Sequence, residues 1–189
     1  AEDTPLVAQL FAEAVHEAGL PAGVFNLVTG LGPVAGQALA EHPGVDLVSF
    51  TGSTAVGRQI GATAGAAIKK VALELGGKSA NVILPSADLA KAVNVGVANV
   101  MSNSGQTCSA LTRMLVPRDR LAEAEAIAAQ CAEAATLGDP FDPATDLGPM
   151  VTTAHRERVR EYIRTSHDAV AKRGTGGADK DETHDKRVG

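Results

Sequence analysis

The stretch Asp46-Leu47-Val48-Ser49-Phe50-Thr51-Gly52-Ser53-Thr54-Ala55-Val56-Gly57 decides how this chain folds. Its first five residues read as a short strand. Thr51-Gly52-Ser53 then breaks the strand, and a helix follows from Ser53 or Thr54 through Val56, Ile60 and Ala64. Lys70 to Leu75 is apolar enough to be the next strand. Upstream, Thr4-Pro5 has the form of a helix start, with Thr4 as a hydroxyl cap and Pro5 at the first helical position. Leu6, Val7, Leu10, Phe11, Ala14 and Val15 mark one apolar face of that helix, and Gly19 closes it. Val24 to Val28 reads as a buried strand, and a helix runs from near Pro33 to His42-Pro43. Downstream, strands are expected at 80–84 and 113–116. Helices are expected from Ala87-Asp88 to about Ser102, over 118–135 and over 152–167. Strands that alternate with helices of this length define an α/β class with a parallel sheet. Right-handed crossovers would place helices on both of its faces.

Composition narrows the function. The chain has 189 residues, 44% hydrophobic but only 3% aromatic, so its core must be built from Ala, Val, Leu and Ile. The net charge is −5 and no basic cluster is present, which argues against nucleic acid or an anionic membrane as partner. No apolar run approaches the roughly 20 residues of a membrane span. Cys108 and Cys131 are not at metal or redox spacing and suit free thiols in a reducing cytosol. The histidines (His16, His42, His155, His167, His184) are scattered, so no metal site is expected.

Three segments carry candidate chemistry. In Gly105-Gln106-Thr107-Cys108-Ser109-Ala110, one thiol lies among small and polar residues. If that thiol stood at the exposed start of a helix or strand, backbone N–H groups would favour the thiolate. A lone Cys is, however, more often an inert core residue. In Val71-Ala72-Leu73-Glu74-Leu75-Gly76-Gly77-Lys78-Ser79, a carboxylate sits in an apolar strand that runs into a Gly-Gly break. With no adjacent His, Glu74 is the best candidate base for the thiol's chemistry, although a Glu in a strand is usually at the surface. Thr51-Gly52-Ser53 before a helix can offer N–H groups to an anion, yet such residues are commonly just a cap.

Together these segments resemble the aldehyde dehydrogenase superfamily. The resemblance rests on Leu73-Glu74-Leu75-Gly76-Gly77-Lys78-Ser79, on Gly105-Gln106-Thr107-Cys108 and on Phe50-Thr51-Gly52-Ser53-Thr54-Ala55-Val56-Gly57-Arg58, in this order and spacing. It covers residues 1 to about 170. Family chains are much longer, so it implies an internal fragment. Residues 1–77 would be the C-terminal part of an NAD-binding domain with a partial Rossmann-type sheet. Residues 78–172 would be part of the α/β catalytic domain, and 173–189 a disordered tail.

The resemblance also implies a reaction. Cys108 would attack an aldehyde carbon to give a thiohemiacetal, hydride would pass to NAD, and Glu74 would activate water to hydrolyse the thioester to the acid. An apolar strand end would make Glu74 a better base by desolvation. The cofactor contacts implied are Glu2 on the adenine ribose, Gly32 along the adenosine cleft and Thr51, Gly52, Ser53 and Gly57 at the pyrophosphate. Leu75 and Gly76 are implied as cofactor-binding residues too. Glu2 would repel a 2′-phosphate, favouring NAD over NADP. The small-molecule partner would be an aldehyde, and the full-length parent a homo-oligomer. Two alternatives stand beside this: a folded but catalytically incompetent fragment, and a CoA-acylating enzyme, against which Glu74 argues. Cys131 reads as helix packing. Asn103 and Gln106 read as supports of the Cys108 turn, and Lys78 as either solvated or a brace at the Gly-Gly break.

Overall fold

The structure, a computed structural model, describes residues 2–169 and 171–178. The chain divides into two compact units, Ala1–Gly76 and Gly77–Gly189. Each is described by itself.

The first unit is built on one βαβ crossover. Strand β1 (Leu47–Thr51) pairs in parallel with β2 (Lys70–Glu74), in a register that sets Leu47 beside Lys70 and Thr51 beside Glu74. The ladder continues past the strand end, where the Gly52 N–H donates to the Glu74 carbonyl at 3.0 Å. The connecting helix, numbered α3 in chain order, spans Thr54–Ala66. It starts where the sequence predicts: Ser53 is extended (φ −71°, ψ 148°) and its Oγ accepts from the Val56 N–H at 3.3 Å. Gly57 is required for α3 to lie this close to the strand. It is buried, and a Cβ there would stand 2.5 Å from Leu75 Cδ2. Helix α2 (Gln37–Glu41) follows a short π-type turn at Gly32–Gly36. The Lys69 ammonium donates to the Ala40 and His42 carbonyls, each at 2.7 Å, serving the open end of α2.

Two expectations for this unit need correction, the Thr4 cap and the buried strand at Val24–Val28. Helix α1 (Leu6–Glu17) is present, but its cap position falls on Pro5, so Thr4 supplies no capping oxygen. The apolar face of α1 is not buried: Leu6, Val7, Leu10 and Phe11 are all exposed. Val24 to Val28 forms no strand, because among the described residues β1 and β2 pair only with each other. Its side chains are exposed too, although the Phe25 ring meets Phe11 edge-on at 5.3 Å. Local pattern identified these apolar residues; the elements that would cover them are a separate matter of tertiary structure.

The second unit repeats the βαβ plan and has the better core. Strand β3 (Ala80–Val82) pairs in parallel with β4 (Arg113–Leu115). Helix α4 (Leu89–Met101) joins them, capped by Asp88, whose Oδ1 accepts from the Lys91 N–H at 3.1 Å. Leu89, Val93 and Val97 recur at helical spacing on its buried face. They pack with Ile83 and with Ala124 of α5 (Leu121–Glu133). Ile127, Ala128 and Cys131 of α5 close the cluster, so Cys131 is a packing residue as expected. The 118–135 helix begins with one 3-10 turn, Arg118–Arg120. Helix α6 (Thr153–Asp168) is capped by Thr152, with the His155 N–H donating to its Oγ1 at 3.1 Å.

Of the expected tail 173–189, residues 179–189 lie outside the described residues. Residues 173–178 are irregular but bonded: Thr175 Oγ1 donates to Glu133 at 2.6 Å, and Arg160 Nε to the Ala178 carbonyl at 2.9 Å.

The Gly57 approach has a direct test. Gly57→Ala should destabilise the first unit by about 1–3 kcal/mol, the usual cost of forcing extra volume into a packed contact. Leu75→Ala in the same chain should recover part of that loss. Urea unfolding of the single and double variants measures both.

Candidate active site

The β1–β2 register brings two of the sequence segments to one strand edge. Thr51 and Glu74 are direct neighbours, and Gly52 and Ser53 follow at the mouth of α3. The carboxyl ends of parallel strands are where α/β sheets hold ligands. Here the edge offers the Ser53 hydroxyl and the first-turn amides of Thr54 and Ala55, which no helical carbonyl can serve. A side chain at Gly52 would collide with the Phe50 ring, so that turn keeps a bare backbone. Gly57 and Leu75 are nearby but face each other, so Gly57 serves the packing of α3. Glu74 is exposed, and the desolvated setting expected at an apolar strand end is absent. Gly76 ends the unit, with open space where its Cβ would be.

Glu2 and Gly32 form a second group in the same unit. A Cβ on Gly32 would stand 4.0 Å from Glu2 Oε2, so the carboxylate lies over the glycine turn that leads into α2. Sequence spacing alone could not have paired them.

Cys108 lies in the second unit, in the connection from α4 to β4. It is exposed, in contrast to half-buried Cys131. No helix or strand starts at Cys108; it occupies a turn, with the Ala110 N–H donating to the Thr107 carbonyl at 3.2 Å. The expected helix-end amides are therefore not available to the sulfur. The backbone before it is unusual instead. Asn103 (φ 53°, ψ 39°), Ser104 (φ 55°, ψ 33°) and Gly105 (φ 76°) are left-handed in succession. Each non-glycine residue in this region costs about 1–2 kcal/mol.

Several hydrogen bonds offset that cost. Asn103 Nδ2 donates to the Gln106 carbonyl at 3.2 Å, while Gln106 Nε2 and its backbone N–H both donate to the Asn103 carbonyl at 3.1 Å. This reciprocal ring is the support expected of Asn103 and Gln106. Two further supports were not foreseen. Ser104 Oγ donates to the Gly148 carbonyl at 3.0 Å, and the Leu111 N–H donates to Asn99 Oδ1 at 3.0 Å. Asn99 had a faint signal, as a polar residue in the last turn of a largely apolar helix. Ser104 had none, because its partner is distant in sequence. Lys78 is tied to the turn that precedes it, Nζ donating to the Gly77 carbonyl at 3.0 Å. No group of three metal-ligating side chains occurs among the described residues, nor any helix long and apolar enough to cross a membrane.

Comparison with known proteins places the chain. The family model described as "Aldehyde dehydrogenase family" matches residues 1–188, and the chain belongs to that family. It is 48% identical over 176 residues to a 3-succinoylsemialdehyde-pyridine dehydrogenase of a Pseudomonas species, covering 93% of this chain and 37% of that protein. It is 46% identical to a hydroxyisobutyraldehyde dehydrogenase of Mycolicibacterium austroafricanum, covering 98% and 37%. Among solved structures it is similar to aldehyde dehydrogenase C of Pseudomonas syringae, crystallised with NAD+ and octanal. That match has a TM-score of 0.93 at 49% identity, over 95% of this chain and 37% of the other. The chain thus spans a little over a third of the length of these relatives.

The exposure difference between the two thiols predicts their order of modification. Iodoacetamide should alkylate Cys108 at least about tenfold faster than Cys131, whose packing against α4 must open first. Peptide mass spectrometry over time resolves the two sites.

Proposed function

We propose that this chain contributes the nucleophile, the hydrolytic base and part of the cofactor site for NAD-dependent oxidation of an aldehyde to a carboxylic acid. The observation that carries this reading is the exposed Cys108, presented by a strained and braced turn, in a chain of this family. The first unit is read as the C-terminal part of a cofactor domain, and residues 78–172 as part of a catalytic domain.

NAD fits the residues present. A pyrophosphate would find the Ser53 hydroxyl and the first-turn amides of α3 beside a turn kept clear by Gly52. The Glu2 carboxylate beside Gly32 suits ribose hydroxyls and disfavours a 2′-phosphate, so NAD is favoured over NADP. NAD+, when bound, would supply the hydride acceptor. The chain's own residues do the rest. The Cys108 sulfur forms a bond to the aldehyde carbon, and the carbonyl oxygen becomes the thiohemiacetal oxygen. After the carbon is oxidised, a thioester remains on Cys108. Glu74 takes a proton from water, whose oxygen attacks that thioester; the C–S bond breaks, the acid leaves, and the Cys108 thiolate regains its proton from Glu74. Support for water as the acceptor, over CoA, comes from the presence of Glu74. An octanal complex of the P. syringae relative supports an aldehyde as substrate class.

The test is a chimera in which this chain replaces the matching segment of the Pseudomonas 3-succinoylsemialdehyde-pyridine dehydrogenase. Its NADH formation should fall about a thousandfold or more with Cys108→Ser. With Glu74→Gln, acyl-enzyme should accumulate while steady turnover drops about a hundredfold. Unchanged turnover in either variant rejects the corresponding role. A second reading, a folded segment with no turnover by itself, is favoured by the exposed apolar side chains of α1 and Val24–Val28. NADH formation by the isolated chain would rule it out.

A further inference from the structure

The turn that presents Cys108 is held from outside at one notable point. Ser104 Oγ donates to the Gly148 carbonyl, a residue 44 positions later in the same unit, across a partly buried contact. Gly148 belongs to a loop with little freedom. The Thr136 N–H donates to Asp146 Oδ2 at 2.8 Å, the Asp146 and Leu147 N–H groups both donate to the Thr136 carbonyl, and the Gly138 N–H donates to the Leu147 carbonyl at 3.1 Å. Within that loop the Asp139 and Asp142 side chains accept from the Phe141 and Ala144 N–H groups, each at 2.9 Å. The loop is therefore a fixed post. By contrast, Asn103 and Ser104 sit in a backbone region that L residues leave when nothing restrains them. The Asn103–Gln106 ring closes the turn on itself, and Asn99 holds the chain beyond it at Leu111. Ser104 supplies the lateral tie between turn and post.

We infer that Ser104 is a positioning residue for Cys108, acting through its hydrogen bond to the Gly148 carbonyl. Without that bond, Asn103 and Ser104 relax toward right-handed or extended backbone and the sulfur is re-aimed away from its open presentation. The inference deepens the reading of Cys108 as nucleophile. It is nonetheless tested by thiol chemistry, which reports how the sulfur is presented whether or not the chain oxidises aldehydes.

The experiment uses the whole 189-residue chain. Iodoacetamide alkylation of Cys108 is timed in the parent, Ser104→Ala and Ser104→Asn proteins, with Cys131 as internal reference. Asn tolerates left-handed backbone and carries an N–H donor of short reach. Ser104→Ala should slow Cys108 about fivefold, the effect that one net hydrogen bond supports, leave the Cys131 rate in place and lower the melting temperature by no more than about 4 °C. Ser104→Asn should restore the rate to within about twofold. A Cys108 rate unaffected by Ser104→Ala overturns the inference. So does equal change at Cys131, which would mark general loosening, or failure of Ser104→Asn to recover the rate. Aldehyde oxidation surviving Cys108→Ser would instead defeat the functional reading and leave the Ser104 tie untouched.

Discussion

Parallel pairing of β1 with β2 in one particular register is the constraint on which the first unit rests. It sets Thr51 beside Glu74 and carries the ladder on to the Gly52 amide. A shift of one residue would turn every side chain of the strand to the opposite face and part these segments. The register is held from the helix side as well, because α3 lies close enough for Gly57 to meet Leu75. A packing glycine thereby determines where a polar strand end comes to lie. The Lys69 ammonium adds a third hold, joining the residue before β2 to the end of α2.

In the second unit a similar crossover yields a different product. The apolar stripe of α4 and the inner face of α5 make a real core around fully buried Val93. That core is remote in character from the turn it supports, which is polar, exposed and left-handed. Strain of this kind persists only where surroundings over-determine it. The reciprocal Asn103–Gln106 bonds and the Asn99 and Ser104 ties are that over-determination. A rigid apolar layer below and a hydrogen-bonded turn above divide the labour of stability and presentation.

Which features could be read from sequence follows the range of the interactions that make them. Helix α3 with its Ser53 cap, α4 with its Asp88 cap and α6 with its Thr152 cap are set within one turn of chain, and each begins where its residues say. The strands β1 and β2 were visible as apolar runs, though their register was not. The Thr4 cap failed for a small reason: Pro5 sits one residue later, in helical conformation, at the cap position. The Val24–Val28 strand failed for a larger one, since a strand exists only with a neighbour to bond. At the candidate site, Glu74, Cys108 and the Thr51–Ser53 turn stand out in the sequence because each lies in a distinctive local pattern. The left-handed run before Cys108 and the Ser104–Gly148 bond were not, because backbone handedness and a partner many residues away leave no mark on composition.

Helix α1 has a consequence of its own. It has no buried residue, no side-chain cap and only twelve residues, near the length at which an isolated helix in water is marginal. The edge-on Phe11–Phe25 meeting is a slight anchor against that. Opening of this segment therefore needs little of the free energy that would melt the α4–α5 core. Its backbone amides would trade deuterium ahead of those of the α4–α5 core, and a protease would find a foothold there while that core was still intact.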